Sequence, residues 1–191
     1  MSVASYIVIA LAFGLANMLL FRRCAEATPI RLSAGLLLTF GTAAVHTLLF
    51  WLGTLLGGLL RLESPVDPYL YADYNAYIFL GIVIVVVVKM LAPYLRREPR
   101  MPVFSLTDTL SVLALAVASG INVLLVGVGA GFVQQTSALH RILWPMLIFS
   151  FLFAYLGLMF GRQKVQLRPR RWMILASVLL IAVAIAAVVN A

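Results

Sequence analysis

The chain has 191 residues, of which 64% are apolar and only 10% charged, with a mean hydropathy of +1.09 and a formal net charge of +8. So few charges cannot clothe a water-soluble domain of this size, which makes the bilayer the solvent and excludes a soluble enzyme or a nucleic-acid-binding domain. A single cysteine, Cys24, rules out an intramolecular disulfide and a Cys-rich metal cage.

Crossing the hydrocarbon core takes about 20 apolar residues, and six segments qualify. The first, Val3 to Phe21, has no basic n-region and no small-residue cleavage site, so it reads as a retained helix carrying Asn17. Leu32 to Leu60 follows, with His46 near its middle beside Thr39, Thr42 and Thr47. A midplane imidazole has three roles open to it: ligating a metal, relaying a proton, or hydrogen-bonding a neighbouring helix. The connection from Leu62 to Asp73 holds Pro65, Pro68, Tyr69 and Tyr71, with Tyr74 just beyond, and reads as a short ordered cap with interfacial tyrosines. Its acids, Glu63, Asp67 and Asp73, read as solvated and not as a cation site.

Tyr74 to Leu95 contains the β-branched run from Gly81 to Val88, which in water suggests a strand. In lipid an isolated strand leaves its backbone unpaired, so a helix is expected here as in the other five segments. Lys89 lies close enough to the end of this span for its stem to snorkel to the headgroups. The fourth segment, Leu106 to Val133, is preceded by Ser105, and Asp108 near its start reads as a cap. It carries Ser119, Gly120 and Asn122, then Gly127, Gly129 and Gly131. Such a glycine-rich helix either breaks at the midplane, exposing carbonyls to an ion, or packs very closely on its neighbours. Its GVGAG stretch follows no strand and is not a dinucleotide fingerprint. Ile142 to Phe160 comes next, with His140 and Arg141 at the interface, and Trp172 to Val189 is last.

The basic residues are unevenly shared. Arg22, Arg23, Arg31, Lys89, Arg96, Arg97, Arg100, Arg162, Lys164, Arg168, Arg170 and Arg171 fall on one side of a six-helix threading, and only Arg61 and Arg141 on the other. By the positive-inside rule both termini are then non-cytoplasmic, in a multi-pass protein of the bacterial inner membrane. The basic loops need no nucleic acid as partner, since anionic lipid is beside them.

Three spans per half place residues 1–95 and 96–191 in opposite orientations within a single membrane domain. The expected fold is therefore all-α, six transmembrane helices arranged as a 3+3 inverted repeat. Ala12 to Leu20 lies over Val117 to Leu125 with Asn17 on Asn122, and the two asparagines are expected close together at midplane depth.

All six acids, Glu26, Glu63, Asp67, Asp73, Glu98 and Asp108, lie in loops or at span ends. That leaves no acid/base pair, no HExxH motif and no Ser–His–Asp constellation, so neither an enzyme nor a cofactor is expected. The residues that could line a solute path are Asn17, His46, Ser119, Gly120 and Asn122, and Asn17, His46 and Asn122 are the candidate metal ligands.

The stretch Ala116 to Phe132, AVASGINVLLVGVGAGF, resembles the motif of the MntP family of manganese efflux pumps, small six-helix transporters related to the LysE superfamily. Ala10 to Gly14, Phe40-Gly41 with Gly53, Leu156 to Arg162 and the basic start of the sixth span agree in order, so the resemblance covers essentially the whole chain. It implies a secondary transporter that exports manganese, with an aspartate in the first span and another in the fourth as cation ligands. Here Asn122 stands at the fourth-span position and Met18 or Asn17 at the first, while Ala44 or His46 occupies the neighbourhood of the family's second-span acid. Manganese favours hard, charged oxygen ligands, and amides supply oxygen without charge. The substrate is thus a divalent cation such as Mn2+ or another small solute. The alternative is a divergent member that no longer transports and serves as a structural or interaction subunit of the membrane.

Overall fold

A computed structural model describes residues 2–27, 32–63, 70–95, 109–133 and 139–191. Six helices account for nearly all of them: α1 (Val3–Ala27), α2 (Leu32–Leu60), α3 (Ala72–Leu95), α4 (Thr109–Val133), α5 (Leu139–Arg162) and α6 (Pro169–Val189). All six are long and apolar enough to span a bilayer. Large apolar side chains are exposed around the bundle, including Leu37 at 73%, Leu59 at 83% and Trp144 at 63%, as hydrocarbon solvent permits and water does not. The Val-rich run of the third span is helical, as backbone pairing in lipid requires. The proposed cap at Ser105 and Asp108 lies outside the described residues, as do Pro65, Asp67, Pro68, Tyr69, Glu98 and the side chains of His140 and Arg141.

The tightest helix pairs are not neighbours in the chain. α1 packs on α5 and α2 on α4, and within each pair the two helices run in the same direction. Glycine makes both contacts possible. A Cβ added to Gly53 or Gly57 on α2 would strike the backbone of Leu124 or Val128 on α4, and one added to Gly127 or Gly131 would strike Phe50 or Thr54 in return. Likewise Gly157 and Gly161 of α5 lie against the backbone of Met18 and Arg22 on α1. Small residues at four-residue spacing let two backbones approach to this degree. The fourth span is accordingly one continuous helix from Thr109 to Val133; of the two outcomes open to its glycines, close packing is the one realised, not a midplane break.

Further contacts run α3 with α6, α2 with α5, α3 with α4 and α1 with α6. Exchanging every helix for the one three places along leaves this pattern unchanged, which is consistent with an inverted repeat.

The two ends of the bundle differ. At the end reached by the C-terminus of α1, α5 stops in a reversed turn: Lys164 adopts φ 53°, its N–H bonds to Gly161 O at 3.1 Å, and Val165 N–H bonds to Phe160 O at 3.0 Å. The Val165 carbonyl is thereby presented to Arg22, whose Nε donates to it at 2.9 Å. Arg22 also pairs with Glu26 at 2.6 Å, and Arg23 lies over the Tyr94 ring, 5.4 Å from its centroid. Arg162, Lys164, Arg168, Arg170 and Arg171 are exposed around the same turn. Towards the other end, Asn75 ties the start of α3 to the end of α2, accepting from Leu62 N–H at 3.1 Å and donating to Leu62 O at 2.9 Å. Tyr74 and Tyr77 are exposed beside it, as interfacial tyrosines are.

Candidate functional site

His46 is fully buried on α2, one turn before the stretch that locks onto α4. Its Nδ1 lies 2.9 Å from Asn17 Nδ2 on α1, and its Nε2 lies 2.8 Å from Ser119 Oγ on α4. An amide nitrogen can only donate, so Nδ1 accepts and the ring proton sits on Nε2. Nε2–H then donates to Ser119, whose hydroxyl donates to its own helix at Leu115 O, 2.8 Å away. The result is a directed polar chain, Asn17 to His46 to Ser119 to backbone, crossing three helices in a medium that offers no other partner.

Gly120 makes room for it: a Cβ there would lie 3.3 Å from His46 Cδ2 and against the Leu49 side chain. Asn122 stands one turn beyond Ser119 on α4, and its Oδ1 is buried with no hydrogen-bond partner. The threonines near His46 belong to α2 itself. Thr39, Thr42, Thr47 and Thr54 each donate to a carbonyl three or four residues back, at 2.7 to 2.9 Å, and have no hydroxyl proton to spare. Of the five residues expected to line a path, Asn17, His46 and Ser119 are joined by hydrogen bonds and Gly120 lies against the His46 ring, whereas Asn122 is not bonded to Asn17 or His46.

Apolar layers lie on both sides of the chain. Towards the end where α1 begins, Tyr6 of α1 meets Phe50 of α2 edge to face, with ring centroids 6.4 Å apart. Towards the opposite end, Cys24 of α1 clusters with Leu115 of α4, and Leu20 and Leu38 pack against them. Tyr6 was not singled out from the sequence, although it lies eleven residues before Asn17 and so on the same helix face. Its hydroxyl, like Ser150 Oγ on α5, is buried without a partner. Among the described residues no group of three or more His, Cys, Asp or Glu side chains gathers to hold a metal ion.

A family profile described as "Mntp: Putative manganese efflux pump" matches residues 29–188. The chain belongs to this family. MntP membership together with six apolar helices makes it a multi-pass membrane transporter, in a family of efflux pumps and not of enzymes. Neither the curated proteins nor the solved structures give a match to the chain. The MntP match starts beyond α1, so Asn17 lies outside it, whereas His46, Ser119, Gly120 and Asn122 lie inside.

Proposed function

We propose that the chain is a secondary transporter of the bacterial inner membrane whose solute crosses at Asn17, His46, Ser119, Gly120 and Asn122. One observation carries this: a buried polar chain joins α1, α2 and α4 between two apolar layers. Polar groups at this depth are costly in hydrocarbon, and a path for a polar solute is what they serve. Residues 1–95 and 96–191 form the two inverted repeats, with both termini non-cytoplasmic and the basic turn after α5 facing the cytoplasm.

The site is uncharged, and this bears on the substrate. A divalent ion leaving water needs its charge offset, and an imidazole, two amides and a hydroxyl offer only dipoles. Mn2+ is therefore held weakly here, and a small polar solute of lower charge suits the site better. Purified protein in liposomes, offered Mn2+, a monovalent cation and a small neutral solute in parallel, tests the reading. Weak Mn2+ flux alongside stronger flux of one of the others is the expected result. Robust, saturable Mn2+ transport unaffected by Asn17→Ala and Asn122→Ala would overturn it.

A second reading, a non-transporting membrane subunit, is favoured by the saturation of His46, both of whose ring nitrogens are engaged. It predicts no flux of any of these solutes from well-folded protein.

A further inference from the structure

We infer that α1–α5 and α2–α4 move as two rigid units, and that the Asn17–His46 hydrogen bond is the contact a solute displaces when they part. This rests on the transporter reading of the site.

Within each unit, glycines set backbone against backbone, Gly157 and Gly161 on Met18 and Arg22 in one, Gly53 and Gly57 on Gly127 and Gly131 in the other. Interlocking that leaves no space for a methyl group resists sliding, because any shift forfeits the dense contact or drives atoms together. Between the units the contacts are of another kind, made by side-chain tips: Tyr6 on Phe50, Cys24 near Leu38 and Leu115, Phe40 on Phe151 with centroids 6.1 Å apart, and Leu158 over Gly35. Such contacts can separate without dismantling a helix pair.

The Asn17–His46 bond crosses from one unit to the other, whereas His46–Ser119 stays within α2–α4. Opening at the Tyr6–Phe50 layer or at the Cys24–Leu38–Leu115 layer carries α1 away from α2 and breaks it. The solute then takes what is released, the Asn17 amide and the His46 Nδ1 lone pair, with Asn122 Oδ1 as a further acceptor. Two crossings, α2–α5 and α3–α6, map onto themselves when the halves are exchanged, and the units pivot about these. Population shift by such a solute requires that it bind the parted form better than the closed one.

Spin-label distances on the full chain in nanodiscs, in a Cys24→Ser background, test this. The pairs Ser2→Cys with Leu59→Cys and Ala27→Cys with Ala34→Cys report between units; Ala27→Cys with Gln163→Cys reports within α1–α5. Two distance populations are expected for each between-unit pair and one for the within-unit pair. Asn17→Leu, with the milder Asn17→Ala run beside it, should change the between-unit population ratio by about threefold. A split within-unit distance, or between-unit distances that neither variant moves, overturns the proposal. Mn2+ and neutral-solute flux through the same protein in liposomes separates it from the reading beneath it. Flux with unmoved between-unit distances sinks the two-unit motion alone, and moving distances without flux sink transport and the solute's part in the opening, leaving the two-unit motion.

Discussion

His46 shows how much a single buried side chain can organise when lipid removes the alternative of water. Asn17→Leu leaves its Nδ1 without a donor and should cost about 0.6 kcal/mol, the average for interhelical hydrogen bonds in membranes, and at most about 1.7 kcal/mol. The double variant Asn17→Leu/His46→Leu should be less damaging than the two single changes added together, since it removes both partners and not just one. Reversible unfolding in bicelles gives the three values, and strict additivity would show that the 2.9 Å contact contributes nothing. Charge is the other lever at this scale. Asn122→Asp should make the melting temperature depend on manganese, because a carboxylate supplies the charge an amide lacks. The same change should destabilise the metal-free protein by about 2.5–3.5 kcal/mol unless the acid is protonated. A manganese-independent melting temperature in that variant would disconnect Asn122 from any cation path. The site's polar members were readable in the sequence because each is rare within an apolar span. Their bonds were not, since those depend on the rotation and register of three helices, and neither Tyr6 nor Ser150 differs in composition from many buried residues in membranes.

Two kinds of glycine coexist in these helices, and they should respond to a methyl group in opposite ways. Gly57→Ala and Gly157→Ala place a Cβ against the backbone of Val128 and Met18, where nothing flexible can yield. Each should cost roughly 1–3 kcal/mol or more, as overpacking does. Gly81 has nothing within 4 Å of that position, so Gly81→Ala should be neutral or stabilising by up to about 1 kcal/mol from helix propensity alone. Equal losses at Gly81 and Gly57 by thermal unfolding would contradict the packing described for α2 and α4. The turn that ends α5 adds a test of conformation, since Lys164 occupies a left-handed position that favours glycine. Lys164→Gly should leave stability unchanged or raise it by up to about 1 kcal/mol, measured the same way. At this scale the sequence was most informative about α2, whose ends match the apolar run from Leu32 to Leu60. It was least informative about the end of α1, which continues from Phe21 to Ala27 through Arg22 and Arg23. Hydropathy marks only the hydrocarbon part of a span, whereas the helix persists wherever its side chains find partners, as Arg22 does with Glu26 and Val165.

The helix contacts of the bundle follow a symmetric pattern around an asymmetric centre. If Gly53 and Gly57 are equated with Gly157 and Gly161, their contacts set Met18 over Leu124 and Arg22 over Val128. That register puts Asn17 over Val123, one residue from the Asn-on-Asn match that the sequence suggests. His46 then falls on Ser150 and Ser119 on Phe13, so the polar chain is not duplicated. The helix-exchange pattern was legible from counting spans, but its register was not, because apolar segments align almost equally well one residue apart. Sidedness has its own test: in a Cys24→Ser background, a membrane-impermeant thiol reagent applied to intact cells should label Asn190→Cys and spare Gln166→Cys. Labelling of Gln166→Cys would invert the assigned orientation. The pairing of α1 with α5 also bears on how the protein is made. The ribosome completes α1 some 135 residues before the end of α5 (162 minus 27), a delay on the order of ten seconds at about 5–20 residues per second. During that interval Gly14, Met18 and Arg22 have no α5 to pack against. A chain stalled before α5 therefore holds Asn17 already bonded to His46 of α2, while the face of α1 at Gly14, Met18 and Arg22 still lacks the helix shaped to fit it.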